Sequence, residues 1–413
     1  MAVKIVRQPK KIALIGAPTS AAALRAGHER APAALRTAGL IARLRAAGYE
    51  VADLGDCATQ HYQPDDEHPR ARNLPPVLAA LSDLKPRVEQ AVKSGALPLV
   101  LGGDCIIALA TLAGVRRYYR NISLVYFDRD ADMNVPATTP SGCVDGMAVS
   151  HVVGRGAPEL VRFWGEPPLV REPDVALFGV ERLDPPEEML LARSPIRRYL
   201  AGDVARQGAA AAAETALERV HVSSHEYVLH FDVDVISSDD FRATNYATAG
   251  GLRLEEVRQA LEVFVRQKNL AAVEVTAYNP ELDPDGNAAK LLVELLGSVF
   301  AARLEGLARD VVPATEAAAS TAAAGVTSAS GGAAPAAPTG SESPGAGAPP
   351  PEVSTAVAEP ADAEPFAVPE MPAASRTEPA SPEATPDEAE SPDAASDESI
   401  RPKTPAESEP SGS

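Results

Sequence analysis

ISLVYFDRDADMN, residues 122–134, decides how this chain folds. Its first six residues make a short β-prone apolar run, and the seven that follow carry Asp128, Asp130, Asp132 and Asn134. A run of that length ending in carboxylates predicts a buried strand whose C-terminal end opens onto polar chemistry, where open α/β sheets place their ligands. The pattern recurs. LPLVLGG (97–103) runs into Asp104 and Cys105, and YVLHFDVD (227–234) ends in Asp232 and Asp234. Further strand candidates are KIALIG (11–16), EVADLGD (50–56), VALFGV (175–180), a weaker IRRYLA (196–201) and LAAVEVTAYN (270–279), eight in all.

Helical patterns fill the gaps, as in PAALRTAGLIARLRAAG (32–48), VLAALSDLKPRVEQAVKSG (77–95) and LEEVRQALEVFVRQ (254–267), with apolar residues three and four apart. Strands alternating with helices predict a three-layer α/β domain with a mainly parallel sheet of about eight strands, spanning residues 1–308.

The chain has 413 residues, 57 acidic against 38 basic, and a net charge of −19. Nucleic acid and anionic membrane both select a cationic footprint, so neither is an expected partner. Three cysteines, Cys57, Cys105 and Cys143, cannot build a disulfide framework and suit a reducing cytoplasm. The opening MAVKIVRQPKKIALIGAPTS has too short an apolar run for a secretion signal, and no window approaches the ~18 apolar residues of a membrane helix. Much of the charge lies at the end. Residues 311–413 hold 17 acidic and 3 basic residues and 18 of the 38 prolines. So little apolar surface cannot offset ~1–2 kcal/mol per residue of ordering entropy, so 309–413 is expected to be a disordered acidic tail.

Side chains alternate along a strand, so Asp128, Asp130 and Asp132 share one side if the extended backbone continues, as do Asp232 and Asp234, with Arg129 facing away. A lone Asp-x-Asp reads as a solvated turn or helix cap. Two such clusters and a Gly-Gly-Asp at strand ends read differently. Close carboxylate pairs repel by roughly 4 kcal/mol at an effective dielectric near ~20, and these motifs supply no obvious internal counter-charge. They therefore predict a bound cation: magnesium, manganese or calcium from the oxygen donors, zinc if Cys105 ligates.

Five segments in order resemble the ureohydrolase superfamily of arginase, agmatinase and formimidoylglutamase. They are IGAPTSAAALRAGHERAPAALRTAGLIARLRAAGYEVADLGD, LGGDCIIALATLAGV, VYFDRDADMNVPATTPSGCVDGM, HFDVDV and YNPELD, spread over residues 10–305. The resemblance implies an arginase-like fold and two manganese ions sharing a hydroxide that attacks a guanidinium-like carbon. Carried over, the metal ligands become Cys105, Asp128, Asp130, Asp132, Asp232 and Asp234, with both family histidines replaced. The proton-shuttling histidine falls on Asp145, a poor acid at neutral pH unless burial raises its pKa. The carboxylate that pairs with the guanidinium falls on Ala277, and Glu274 should face the other side of its strand.

Asn134 and Ser141 match residues that hold the amino-acid end of a substrate, and GVERLDPPEE (179–188) resembles an Arg-Asp-x-Asp-Pro-x-Glu stretch, putting Asp184 and Glu187 at an α-amino contact. Turn and cap chemistry beside Pro136 and Gly142 is the structural alternative for Asn134 and Ser141. Of the seven histidines, His28, His61, His68, His221 and His225 are expected in solvent, His151 in packing, and His230 as a satisfied core residue on the strand side of Asp232. The resemblance further implies a trimer or hexamer. The functional expectation is a divergent metal-dependent hydrolase acting on a small C–N substrate with an amino-acid-like end. The alternative is a catalytically inactive arginase-like protein serving as a binding or assembly module.

Overall fold

The computed structural model describes residues 5–221 and 226–309, without the side chain of His221. Apart from Arg309, the acidic tail lies outside them. Eight strands form one sheet: β1 (Lys11–Ala17), β2 (Glu50–Asp56), β3 (Leu97–Gly102), β4 (Ile122–Phe127), β5 (Val175–Val180), β6 (Arg197–Leu200), β7 (Glu226–Asp232) and β8 (Leu270–Thr276). Every predicted strand is present. Their order is β2-β1-β3-β8-β7-β4-β5-β6, and all the pairings are parallel.

The inner strands β4, β5 and β8 are buried along their whole length, as continuous Val/Ile/Leu-rich runs must be when helices cover both faces. Alternation sorts their side chains into two cores. Ile12, Leu14, Phe127, Phe178, Phe231 and Val275 pack toward the helices Leu254–Val265 and Asn287–Arg309. Ala13, Ile15, Tyr126, Leu177 and Val228 pack toward Leu74–Lys93 and Ala108–Arg116. Each fully buried large aliphatic contributes ~1.5–3 kcal/mol.

The stretch 32–48 is not one helix. It divides into Ala31–Thr37 and Leu40–Ala46, because Gly39 between them takes φ 97°, a left-handed conformation open to glycine that ends the first helix. His28 also departs from expectation: the short turn His28–Arg30 buries it completely, and among the described residues neither ring nitrogen has a hydrogen-bond partner. His61 and His68 are exposed as expected, while His225 lies outside the described residues.

Candidate active site

The carboxylates reach one place by turns rather than by continued strand. Asp128 follows the last residue of β4, and its Oδ1 accepts the Asp130 amide at 2.7 Å. Asp130 pairs in an isolated bridge with Arg182, and Asp132 takes φ 48°. On β7 the same device repeats: Asp232 Oδ1 accepts the Asp234 amide at 2.7 Å across the turn Val233–Val235. Aspartate bonding its own backbone two residues on is the chemistry that bends these chains. Arg129 does face away, pairing with Glu181 and with the Thr248 carbonyl.

Cys105 opens the turn after β3, its Sγ 2.8 Å from Asp232 Oδ2 and 4.0 Å from Asp128 Oδ2. Asp145 Oδ1 accepts the Cys105 amide at 2.6 Å. All eleven residues singled out from the sequence, together with Ala277, line a single cavity of about 290 Å³.

Burial, and after it the neighbouring carboxylates, pushes Asp128, Asp132 and Asp232 well above the ordinary carboxylate range, and the Cys105 thiol up likewise. Burial also raises Asp130 to about 7, with Asp234 adding to the rise and Arg182 opposing it. Asp145 is raised by burial to about 6 against the Cys105 amide bond. A set of buried acids forced toward their neutral forms is one a cation would relieve.

Two groups of side chains fit such a cation. Cys105, Asp128, His230 and Asp232 each offer a ligand atom within 4.8 Å of the others, and so do Asp128, Asp130 and Asp234. Asp234 Oδ1 is buried and has no hydrogen-bond partner among the described residues. Asp132 belongs to neither group, and its Oδ2 accepts the Tyr126 hydroxyl.

The counter-charge that the motifs hide is Arg182. One terminal nitrogen of its guanidinium lies 2.5 Å from Asp130 Oδ2 and 2.7 Å from Asp234 Oδ2. Burial works against this charge, and the two carboxylates more than offset it. The signal was present in the sequence: the chain reads Glu181-Arg182 where the resembled stretch reads Arg-Asp.

His230 is satisfied, as expected, yet it is also part of the first group. Its Nδ1 lies 2.8 Å from Glu274 Oε2 and its Nε2 3.2 Å from Thr276 Oγ1, and its ring stacks on Tyr126 at 4.2 Å. A carboxylate behind an imidazole is the arrangement that orients a metal-ligating histidine. Glu274 is thus committed to His230, while Ala277 lines the cavity with no carboxylate to offer.

At the cavity's other end, Asn134 Nδ2 donates to Asp184 Oδ2 at 2.9 Å. Glu187 accepts the Met133 and Asp184 amides, both at 2.8 Å, so both its oxygens serve the backbone of this corner. Ser141 Oγ accepts the Cys143 amide at 3.2 Å, the turn chemistry that was its structural alternative.

The family model described as "Arginase family" matches residues 10–301. The chain is 33% identical to the arginase of Bacillus caldovelox over 300 residues, covering 71% of this chain and 99% of that one. It is 30% identical to the arginase of Bacillus subtilis (strain 168), with 71% and 99% covered. The native structure of the Bacillus caldovelox arginase superposes with a TM-score of 0.67 at 32% identity, covering 70% of this chain and 98% of that chain. Bacillus subtilis formimidoylglutamase shares the fold, with a TM-score of 0.58 at 16% identity over 74% of this chain and 88% of that chain. By its five segments, its sheet and its carboxylate-lined cavity, the chain belongs to the arginase family of hydrolases.

Proposed function

We propose that this hydrolase cleaves a C–N bond in a small amidine, guanidino-like or amide substrate with an amino-acid-like end, using a divalent cation. The observation that carries the reading is the convergence of Cys105, Asp128, His230 and Asp232 within 4.8 Å, with all but the buried His230 lining a cavity that also contains Asn134, Ser141 and Asp184. Manganese is the first candidate ion and zinc the second, because Cys105 and His230 add softer donors to the oxygens. When bound, the cation supplies acidified water as nucleophile.

The protein's own residues bind, orient and move protons. Asp184, with one oxygen held by Asn134, presents negative charge to an α-amino group, and Ser141 adds a hydroxyl beside it. Glu187 fixes the Asp184 and Met133 backbone that carries this end. Asp145, anchored on the Cys105 amide, borders the metal group and is assigned the proton transfer to the leaving nitrogen.

The test is thermal unfolding of the full chain after chelation and after manganese loading. Ligand bound only by the native state raises the midpoint, and Asp232→Ala should abolish the rise. Equal midpoints for chelated and loaded protein would remove the metal reading and leave the non-catalytic alternative.

A further inference from the structure

The two potential cation groups differ in what already occupies them. The Cys105, Asp128, His230 and Asp232 group contains no basic side chain other than the imidazole. In the other group, one Arg182 nitrogen sits between Asp130 Oδ2 and Asp234 Oδ2, at 2.5 and 2.7 Å, so two of the three carboxylates that would hold an ion already have a cationic partner. Arg182 is held there from behind as well. Its other terminal nitrogen donates to the Tyr246 carbonyl at 3.2 Å, its guanidinium lies 5.5 Å from the Tyr246 ring centroid, and its backbone pairs with Asp130.

We propose that Arg182 is a built-in cation replacing a second metal, so that the site holds one tightly bound divalent ion, on Cys105, Asp128, His230 and Asp232. This rests on the metal reading proposed above and changes its stoichiometry. Charge-assisted bonds from a guanidinium to two carboxylates are strong, and a second ion must displace them or sit beside a fixed positive charge. Asp234 Oδ1 has no hydrogen-bond partner among the described residues, so a residual attraction survives. A second equivalent should therefore bind roughly a hundredfold more weakly than the first rather than not at all.

The test titrates manganese into chelated full-length protein, reading stoichiometry by calorimetry and the manganese spectrum by electron paramagnetic resonance. The wild-type chain should take one tight equivalent with the spectrum of an isolated ion. Arg182→Gln should take two, with the signature of coupled ions, and Arg182→Lys, which keeps the charge, should stay at one. Two tight, coupled equivalents in the wild type overturn the inference and leave the metal reading standing, whether or not the Gln variant folds. An Arg182→Gln protein that folds and still binds one equivalent overturns it too. No manganese bound by the wild type or either variant removes the metal reading and this inference together.

Discussion

The imidazole of His230 and the carboxylate of Glu274 face each other from paired positions on β7 and β8, 2.8 Å apart and both fully buried. His230 belongs to the candidate metal group, and Glu274 stands behind its imidazole. The pairing explains why Glu274, three residues before Ala277, cannot serve in its place.

Removing one partner of a buried, hydrogen-bonded pair typically costs ~3–5 kcal/mol, because the other is left without compensation. Glu274→Ala should therefore lower unfolding free energy by about that amount, and Glu274→Gln, which keeps an acceptor oxygen, by less. Denaturant unfolding measures both. Equal losses in the two variants would mean that the hydrogen bond contributes nothing.

Arginine and agmatine should be poor substrates. A guanidinium entering the cavity finds Ala277 where the resemblance to the family implies a carboxylate, and Arg182 adds a like charge nearby. Losing such a buried charge pair costs ~3–5 kcal/mol, or roughly two to four orders of magnitude in kcat/KM. Urea release with manganese present is the measurement, and Ala277→Glu should raise it. Fast turnover of either compound by the wild-type chain would show that another residue anchors the guanidinium.

None of the three thiols should react in the folded protein. Cys57, Cys105 and Cys143 are all buried, and burial pushes Cys57 up to about 12 and Cys143 to about 11. The nucleophilic thiolate is therefore scarce as well as inaccessible. A thiol-reactive dye at neutral pH should label no cysteine in native protein and all of them in denaturant. Fast labelling of native Cys105 would contradict its burial.

The contribution of His151 to stability should be lost as pH drops from about 6.5 to 4. Asp130 and Asp145 act with the opposite sign, because their raised pKa values make the folded state bind more protons in the same window. His151 Nδ1 faces the Met147 carbonyl at 2.7 Å while Nε2 accepts the Ala157 amide at 3.1 Å, so the neutral ring is fully used and a second proton would destroy its acceptor. Burial lowers the pKa of His151, and separately of His28, to about 4. Between that value and the unfolded 6.5 this imidazole binds more protons in the unfolded chain, so its contribution to unfolding free energy rises with pH across this window and is lost as pH falls through it. At ~1.4 kcal/mol per pKa unit His151 accounts for up to ~3 kcal/mol. The difference in unfolding free energy between the parent and His151→Gln should fall by that amount as pH drops through the window. Parallel pH profiles for variant and parent would refute the assignment.

Most of the fold was legible from short-range pattern. The eight apolar runs became the eight strands because hydrophobic periodicity is a local property and both-face burial demands continuous runs. Gly39 shows the limit: the apolar spacing on either side of it fits one helix, and only its left-handed backbone divides the stretch in two.

The sequence by itself determined that Asp128, Cys105 and Asp232 reach one cavity, because they follow or end strands whose parallel C-terminal ends lie at one edge of the sheet, whereas Arg182 and Tyr246, which line it too, stand on loops that no strand pattern places. Tertiary structure alone decided the pairings. Arg182 comes from beyond β5 to neutralise Asp130 and Asp234, some 52 residues away in the chain, and Glu274 crosses from β8 to hold His230 across 44. Charge pairing depends on distance through space, and spacing along the chain leaves that distance undetermined until strand order places β7 between β4 and β8.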